Sequence, residues 1–132
     1  MNAGFKKLIV WQKSIDLAVH IYRLTSEFPD HEKYGMKSQI NRSSVSVACN
    51  IAEGAGRVSK KEFANFLSIA RASGNELETL LIISARIGYI NENTLKASQE
   101  RITEIQRMLN ALKTYISVNK TTPAPVLKTS KD

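Results

Sequence analysis

The last third of the chain carries the strongest constraint on its fold. Leu95, Ser98, Ile102, Ile105, Leu109, Leu112 and Ile116 recur at alternating steps of three and four residues without a break. That spacing holds one narrow seam on the side of a helix, with Lys96, Glu100, Arg107 and Lys113 outside it. A continuous row of leucine and isoleucine is unfavourable in water, so the helix requires helical partners.

Three earlier segments supply them. The first runs from about Leu8 to Phe28 and is stopped by Pro29. Gln12, Lys13, Asp16, His20, Arg23 and Glu27 mark its polar side. The remainder forms two apolar stripes, Trp11, Ile15, Ala18 and Tyr22 beside Leu17, Ile21, Leu24 and Phe28. Together they span about 220°, roughly twice what a surface helix needs, so a second partner surface is expected. The next segment, Met36 to Glu53, buries Met36, Ile40, Val47, Ala48, Ile51 and the following Ala55, and Gly54 and Gly56 are expected to end it. Its other side is a polar row, Gln39, Arg42, Ser46, Asn50, Glu53 and Arg57, within about 40° of one line. Ser59 and Glu62 form a capping box that opens a long helix from Lys60 to about Gly88. This helix again has two stripes: Phe63, Leu67, Ala70, Gly74, Leu77, Leu81, Ser84 and Gly88, and Phe66, Ile69, Ser73, Glu76, Leu80, Ile83 and Ile87. The small members of the first stripe allow a neighbouring helix close approach. Capping asparagines follow Gly88. No stretch alternates as a strand would. Short connections between long helices predict an all-α, antiparallel, up-down four-helix bundle over residues 1–118.

Residues 119–132, with two prolines and no periodicity, are expected to be a disordered tail. The formal charge is +7 over 132 residues. Three lysines and one aspartate of that total lie in the tail, leaving 16 basic and 11 acidic residues, or +5, on the domain. One cysteine excludes an internal disulfide framework, and two separated histidines leave no zinc pattern. No run approaches the ~18 apolar residues of a membrane span, and the start of the chain lacks a secretory pattern. A cytoplasmic, non-membrane protein is expected.

The stretch from Asn50 to Leu67 resembles a repressor helix-turn-helix. Its turn holds an extra residue and its second helix is too long and too apolar, so an ordinary helical hairpin is the better reading. Catalysis has little support. His20 and His31 read as surface residues, Cys49 as a small packing residue, and neither a Glu-x-x-His pair nor a Walker loop occurs. The polar row reads either as a solvated face or as a network at a subunit interface or channel, with Glu76 as partner for Arg42. Glu76, flanked by Ile69, Leu80 and Ile83, is expected to need such a partner. Lys6, Lys7, Arg57, Lys60 and Lys61 are the candidate nucleic-acid contacts.

The order Trp11, Phe28-Pro29, Glu32, Tyr34-Gly35, Gln39-Ile40, Arg42-Ser43, Val45-Ser46, Asn50-Ile-Ala-Glu-Gly54 and Arg57 resembles a bacterial four-helix-bundle family. That family is encoded in intervening sequences of large-subunit ribosomal RNA genes and is often labelled a ribosomal protein. Phe66-Leu67, Ile69-Ala70, Glu76-Leu77-Glu78-Thr79 and Gly88-Tyr89 extend the similarity over about residues 5–117. Arg71-Ala-Ser-Gly-Asn75 departs from it, with the glycine after the serine. The resemblance implies a homopentameric ring without catalysis, cofactor, metal or small-molecule substrate. A distant relative is the accessory protein of diversity-generating retroelements, which binds a reverse transcriptase and nucleic acid. Gln39, Arg42, Ser46, Asn50, Glu53, Arg57, Glu76 and Glu78 carry over as a structural or assembly signature. The expected function is an oligomeric, non-enzymatic bundle that binds RNA through basic surfaces. The alternative is an adaptor for a nucleic-acid enzyme such as a reverse transcriptase.

Overall fold

A computed structural model describes residues 4–118, so the tail expected at 119–132 lies outside the described residues. Four helices follow in order: α1 (Ile9–Thr25), α2 (Met36–Ala55), α3 (Lys60–Arg86) and α4 (Glu92–Val118). Short 3-10 turns at Gly4–Lys7 and Asp30–Glu32 precede α1 and α2. Cross-helix bonds fix the antiparallel order. Lys113, Gln106 and Gln99 of α4 reach Ser68, Arg71 and Glu78 of α3 in reverse sequence. Thr25 donates to Asn41 across α1 and α2 at 2.8 Å, and Lys13 pairs with Glu104 across α1 and α4 at 3.2 Å. The result is the expected up-down bundle, with α2 between α1 and α3 and α4 closing the other side.

All seven members of the α4 seam are buried, from Leu95 to Ile116. They meet Leu17 and Ile21 of α1, Ile40, Val47 and Ile51 of α2, and Leu67, Leu77 and Leu81 of α3 in one core. Four of the buried serines are accommodated because the hydroxyl bonds back to its own helix. Ser14, Ser43, Ser44 and Ser98 donate to the carbonyls of Val10, Ile40, Asn41 and Thr94.

The helix ends follow local chemistry. Ser59 Oγ accepts the Glu62 N–H at 2.9 Å, and Asn91 Oδ1 accepts the Thr94 N–H at 2.8 Å. Gly88, at φ 91°, reverses the chain after α3. The Tyr89 N–H then bonds Ser84 O and the Gly88 N–H bonds Ala85 O, closing a Schellman motif. α1 stops three residues earlier than expected, and Phe28 is buried from the following turn rather than from the helix.

Gly54 does not end α2 as its position suggested; the helix runs on to Ala55. A Cβ on Gly54 would stand 2.6 Å from Phe66 Cβ and 3.0 Å from the Phe63 ring. The residue is there to let α3 approach. Gly74 serves α4 in the same way, since its Cβ would meet the Gln106 amide at 2.5 Å. Gly56, by contrast, has φ −86° and no atom nearer than 3.7 Å.

Gly54→Ala should therefore lose about 1–3 kcal/mol to overpacking against the Phe66 backbone side. Gly56→Ala should stay within about 0.5 kcal/mol of the parent. Thermal or urea denaturation of the two variants side by side tests the assignment; equal losses would contradict it.

Candidate assembly and nucleic-acid interface

The two wide apolar arcs are only half covered. On α1, Leu17 and Ile21 are buried, as is Phe28 in the turn beyond it, whereas Ile15 and Tyr22 of the neighbouring stripe stay 38% and 51% exposed. On α3, Leu67, Ala70, Leu77 and Leu81 are buried, while Ile69, Ile83 and Ile87 are 47%, 42% and 52% exposed. Val45 of α2 is exposed between them. α4 shows the opposite pattern. Its outer residues Lys96, Glu100, Arg101, Glu104 and Arg107 are charged, and its only large exposed apolar residue is Val118, at its end. The uncovered apolar surface therefore gathers on α1, α2 and α3, away from α4.

The polar row on α2 divides. Ser46 hydrogen-bonds to the buried Ser73 of α3 at 2.8 Å, and the Asn50 amide donates to Ser46 O and Oγ at 2.8 and 2.9 Å. Arg57 bonds Glu53 at 2.6 Å, with its guanidinium 5.0 Å from the Phe66 ring. Gln39 and Arg42 are exposed. Among the described residues Arg42 and Glu76 do not pair within one chain; the pairing expected from the sequence at a subunit interface concerns two chains. Glu76 is exposed within one chain, because α3 turns it outward, and so it bears no burial cost there. Glu78 instead accepts from the Gln99 amide of α4 at 3.1 Å. In Arg71-Ala-Ser-Gly-Asn75, the serine meets α2 and the adjacent glycine meets α4.

Lys6 and Lys7, before α1, and Arg57, Lys60 and Lys61, between α2 and α3, come to the same end of the bundle. The up-down topology produces this grouping. Lys60 and Lys61 are exposed and have no ion pair among the described residues. Arg57 is already committed to Glu53 and Phe66.

Two local expectations change. His20 is half-buried, not a plain surface residue, and its Nε2 lies 3.0 Å from Ser98 Oγ. Ser98 Oγ also lies 3.0 Å from Thr94 O of its own helix. Burial first, and the Arg101 charge second, hold this histidine below its ordinary pKa. Cys49 is exposed on α2 instead of packed. His31 is exposed as expected, but touches Tyr89 OH at 3.3 Å.

That last contact belongs to a tie at the opposite end of the bundle. Glu32 accepts from Tyr89 OH at 2.7 Å and from the Met36 N–H at 2.8 Å. It thereby satisfies the start of α2 and pins the α1–α2 loop to the α3–α4 turn. The Tyr89 bond chiefly, and the Met36 N–H next, hold the Glu32 carboxyl below its usual range; the same bond raises the tyrosine. The one signal for this tie was Glu32 standing four residues before Met36, close enough to cap it. Among the described residues, no group of three or more His, Cys, Asp or Glu side chains is placed to hold a metal, and no helix is long and apolar enough to cross a membrane.

The molecule is thus an all-helical antiparallel bundle whose chemistry lies on its outer faces and ends. The family profile described as 23S rRNA-intervening sequence protein matches residues 6–111, and the chain belongs to that family. It is also similar to a solved structure from Bacteroides thetaiotaomicron VPI-5482, a protein of unknown function from the S23 ribosomal protein family. The two are 30% identical with a TM-score of 0.72, over 80% of this chain and 98% of that one. No curated protein matches.

The Glu32 tie makes stability depend on acid in a defined direction. A carboxyl lowered by folding stabilises fully above its ordinary value of 4.5 and stops doing so as pH falls through that value to the folded one. Between about pH 6 and about pH 3, the parent should therefore lose more melting temperature than Tyr89→Phe, which lacks the main bond. Parallel slopes would show that the tie contributes nothing.

Proposed function

We propose that this chain is a non-enzymatic homo-oligomer, a ring of five bundles, that binds RNA through basic surfaces gathered by the assembly. The observation that carries the reading is the uncovered apolar stripe on α1 and α3, joined across α2 by Val45. Exposed apolar surface of this extent marks an interaction face. A head-to-tail contact, with the α1 stripe of one copy on the α3 stripe of the next, forms a ring where the rotation between copies closes. The polar row supports the same reading, because Arg42 and Glu76 are both exposed and, among the described residues, have no ion pair. Across an interface they can pair with each other.

Membership of a family described by 23S rRNA supports RNA as the ligand. A single domain of charge +5 is a weak electrostatic attractor. Five such domains carry about +25, enough to raise local phosphate affinity and its salt dependence. Lys6, Lys7, Lys60 and Lys61 at one end of every bundle, with Arg57 beside them, supply the repeated patch. The adaptor reading uses the same apolar face to seat a nucleic-acid enzyme in place of a second copy.

Light scattering on the eluting protein should give a species of about 74 kDa, five times the 14.7 kDa chain. A monomer at micromolar concentration would overturn the ring and favour the adaptor. Ile69→Glu combined with Ile83→Glu should dissociate the assembly yet preserve the helical signal, since both side chains are exposed in one chain. Glu76→Ala should weaken assembly more than Glu100→Ala. Binding to structured RNA should fall steeply with salt and exceed binding to duplex DNA; a flat salt response would exclude phosphate contacts.

A further inference from the structure

A cleft of about 580 Å³ opens between the end of α1 and the first half of α2, far from the Lys6 and Lys60 end. Tyr22, Lys33, Tyr34, Lys37, Asn41 and Arg42 line it, and no carboxylate does. Three cations thus face one opening. Among the described residues, none of the three takes part in an ion pair. The nearest carboxylate in sequence, Glu32, is occupied by Met36 and Tyr89 on the other side of the loop. Tyr34 is 88% exposed, with Lys33 Nζ 5.4 Å from its ring centroid, and Tyr22 is half exposed. Neither tyrosine hydroxyl has a partner among the described residues.

We infer that this cleft binds a single-stranded segment of RNA, with phosphates at Lys33 and Lys37 and a base stacked on Tyr34. Cationic groups interleaved with exposed aromatic rings are what sequence-tolerant single-strand binding requires, because every base has a stacking face. The Asn41 amide and the Tyr22 hydroxyl provide polar groups for a base edge or a ribose. A double helix fits less well, since its bases cannot reach a ring lodged at a helix corner. An acidic peptide would satisfy the cations but leave Tyr34 without a planar partner. The inference rests on the RNA-binding reading above and assigns it a site that the basic end of the bundle does not include.

The test uses the full-length chain and a fluorescein-labelled single-stranded oligouridylate, read by anisotropy over a salt series. Tyr34→Ala should weaken binding about fivefold or more, the loss of one stacked base, without changing the melting temperature. Lys33→Gln with Lys37→Gln should lower the salt slope by about 1.4, corresponding to two single-strand phosphates. Tyr34→Phe should retain affinity. If the parent binds structured RNA but not the oligonucleotide, the cleft is overturned and the RNA reading stands; if it binds neither, both fall. If the parent binds but Tyr34→Ala is unchanged while Lys60→Gln with Lys61→Gln abolishes binding, only the cleft is overturned. Competition by polyglutamate that depends on the lysines and ignores Tyr34 would make it an acidic-peptide site and would also overturn the proposal.

Discussion

The close approach of α2 and α3 governs the rest of the structure. Gly54 lets the Phe63 and Phe66 side chains lie against the α2 backbone, and Ser46 and Ser73 meet further along the same contact. Two helices held this closely cannot rotate about their axes without losing the glycine contact or stranding the buried Ser73 hydroxyl. Their rotation decides which of the two apolar stripes on α3 enters the core. Leu67, Leu77 and Leu81 go in; Ile69, Ile83 and Ile87 stay out. The outward position of Glu76 is a consequence of that choice and not of its own charge.

A bundle built this way has two unlike sides. α4 supplies one apolar seam and an otherwise charged surface, so its burial needs are met by a single core. α1 and α3 carry a second stripe that the core has no room for. Burying large side chains is worth roughly 1.5–3 kcal/mol each, so a face holding several of them is a strong reason for association. The mixed polar and apolar character of the face, with Arg42 and Glu76 among isoleucines, favours a specific pairing over indiscriminate sticking, because either charge left alone in an interface would be costly.

Much of the fold was legible because it depends on near neighbours in the chain. The α4 seam, the Ser59 cap and the glycine after α3 follow from spacing and local hydrogen bonding. The errors have a common origin. Gly54 looked like a terminator because glycine ends helices, but its role is set by Phe66, twelve residues on. His20 looked like a surface residue until Ser98 of α4 met it, and Cys49 like a packing residue until α2 turned it to solvent. Glu76 has apolar neighbours on its stripe, yet it lies exposed while Ser73 of the same stripe is buried against α2. Periodicity identifies a face but cannot say which of two faces has the better partner.

Lys6 with Lys61, and the cleft at Tyr34, illustrate the division between sequence and structure. Residue types and their spacing alone determined that the chain is helical, where the helices cap, that they alternate in direction, and that two of them carry more apolar surface than one core uses. That alternation already brings Lys6 and Lys61 to one end; only the tertiary structure decided which stripe stayed exposed and that Tyr22, Lys33, Tyr34, Lys37 and Arg42 share one cleft. The physical reason is range. Helix formation and capping are settled within about four residues along the chain, whereas helix rotation and the grouping of side chains depend on contacts dozens of residues apart.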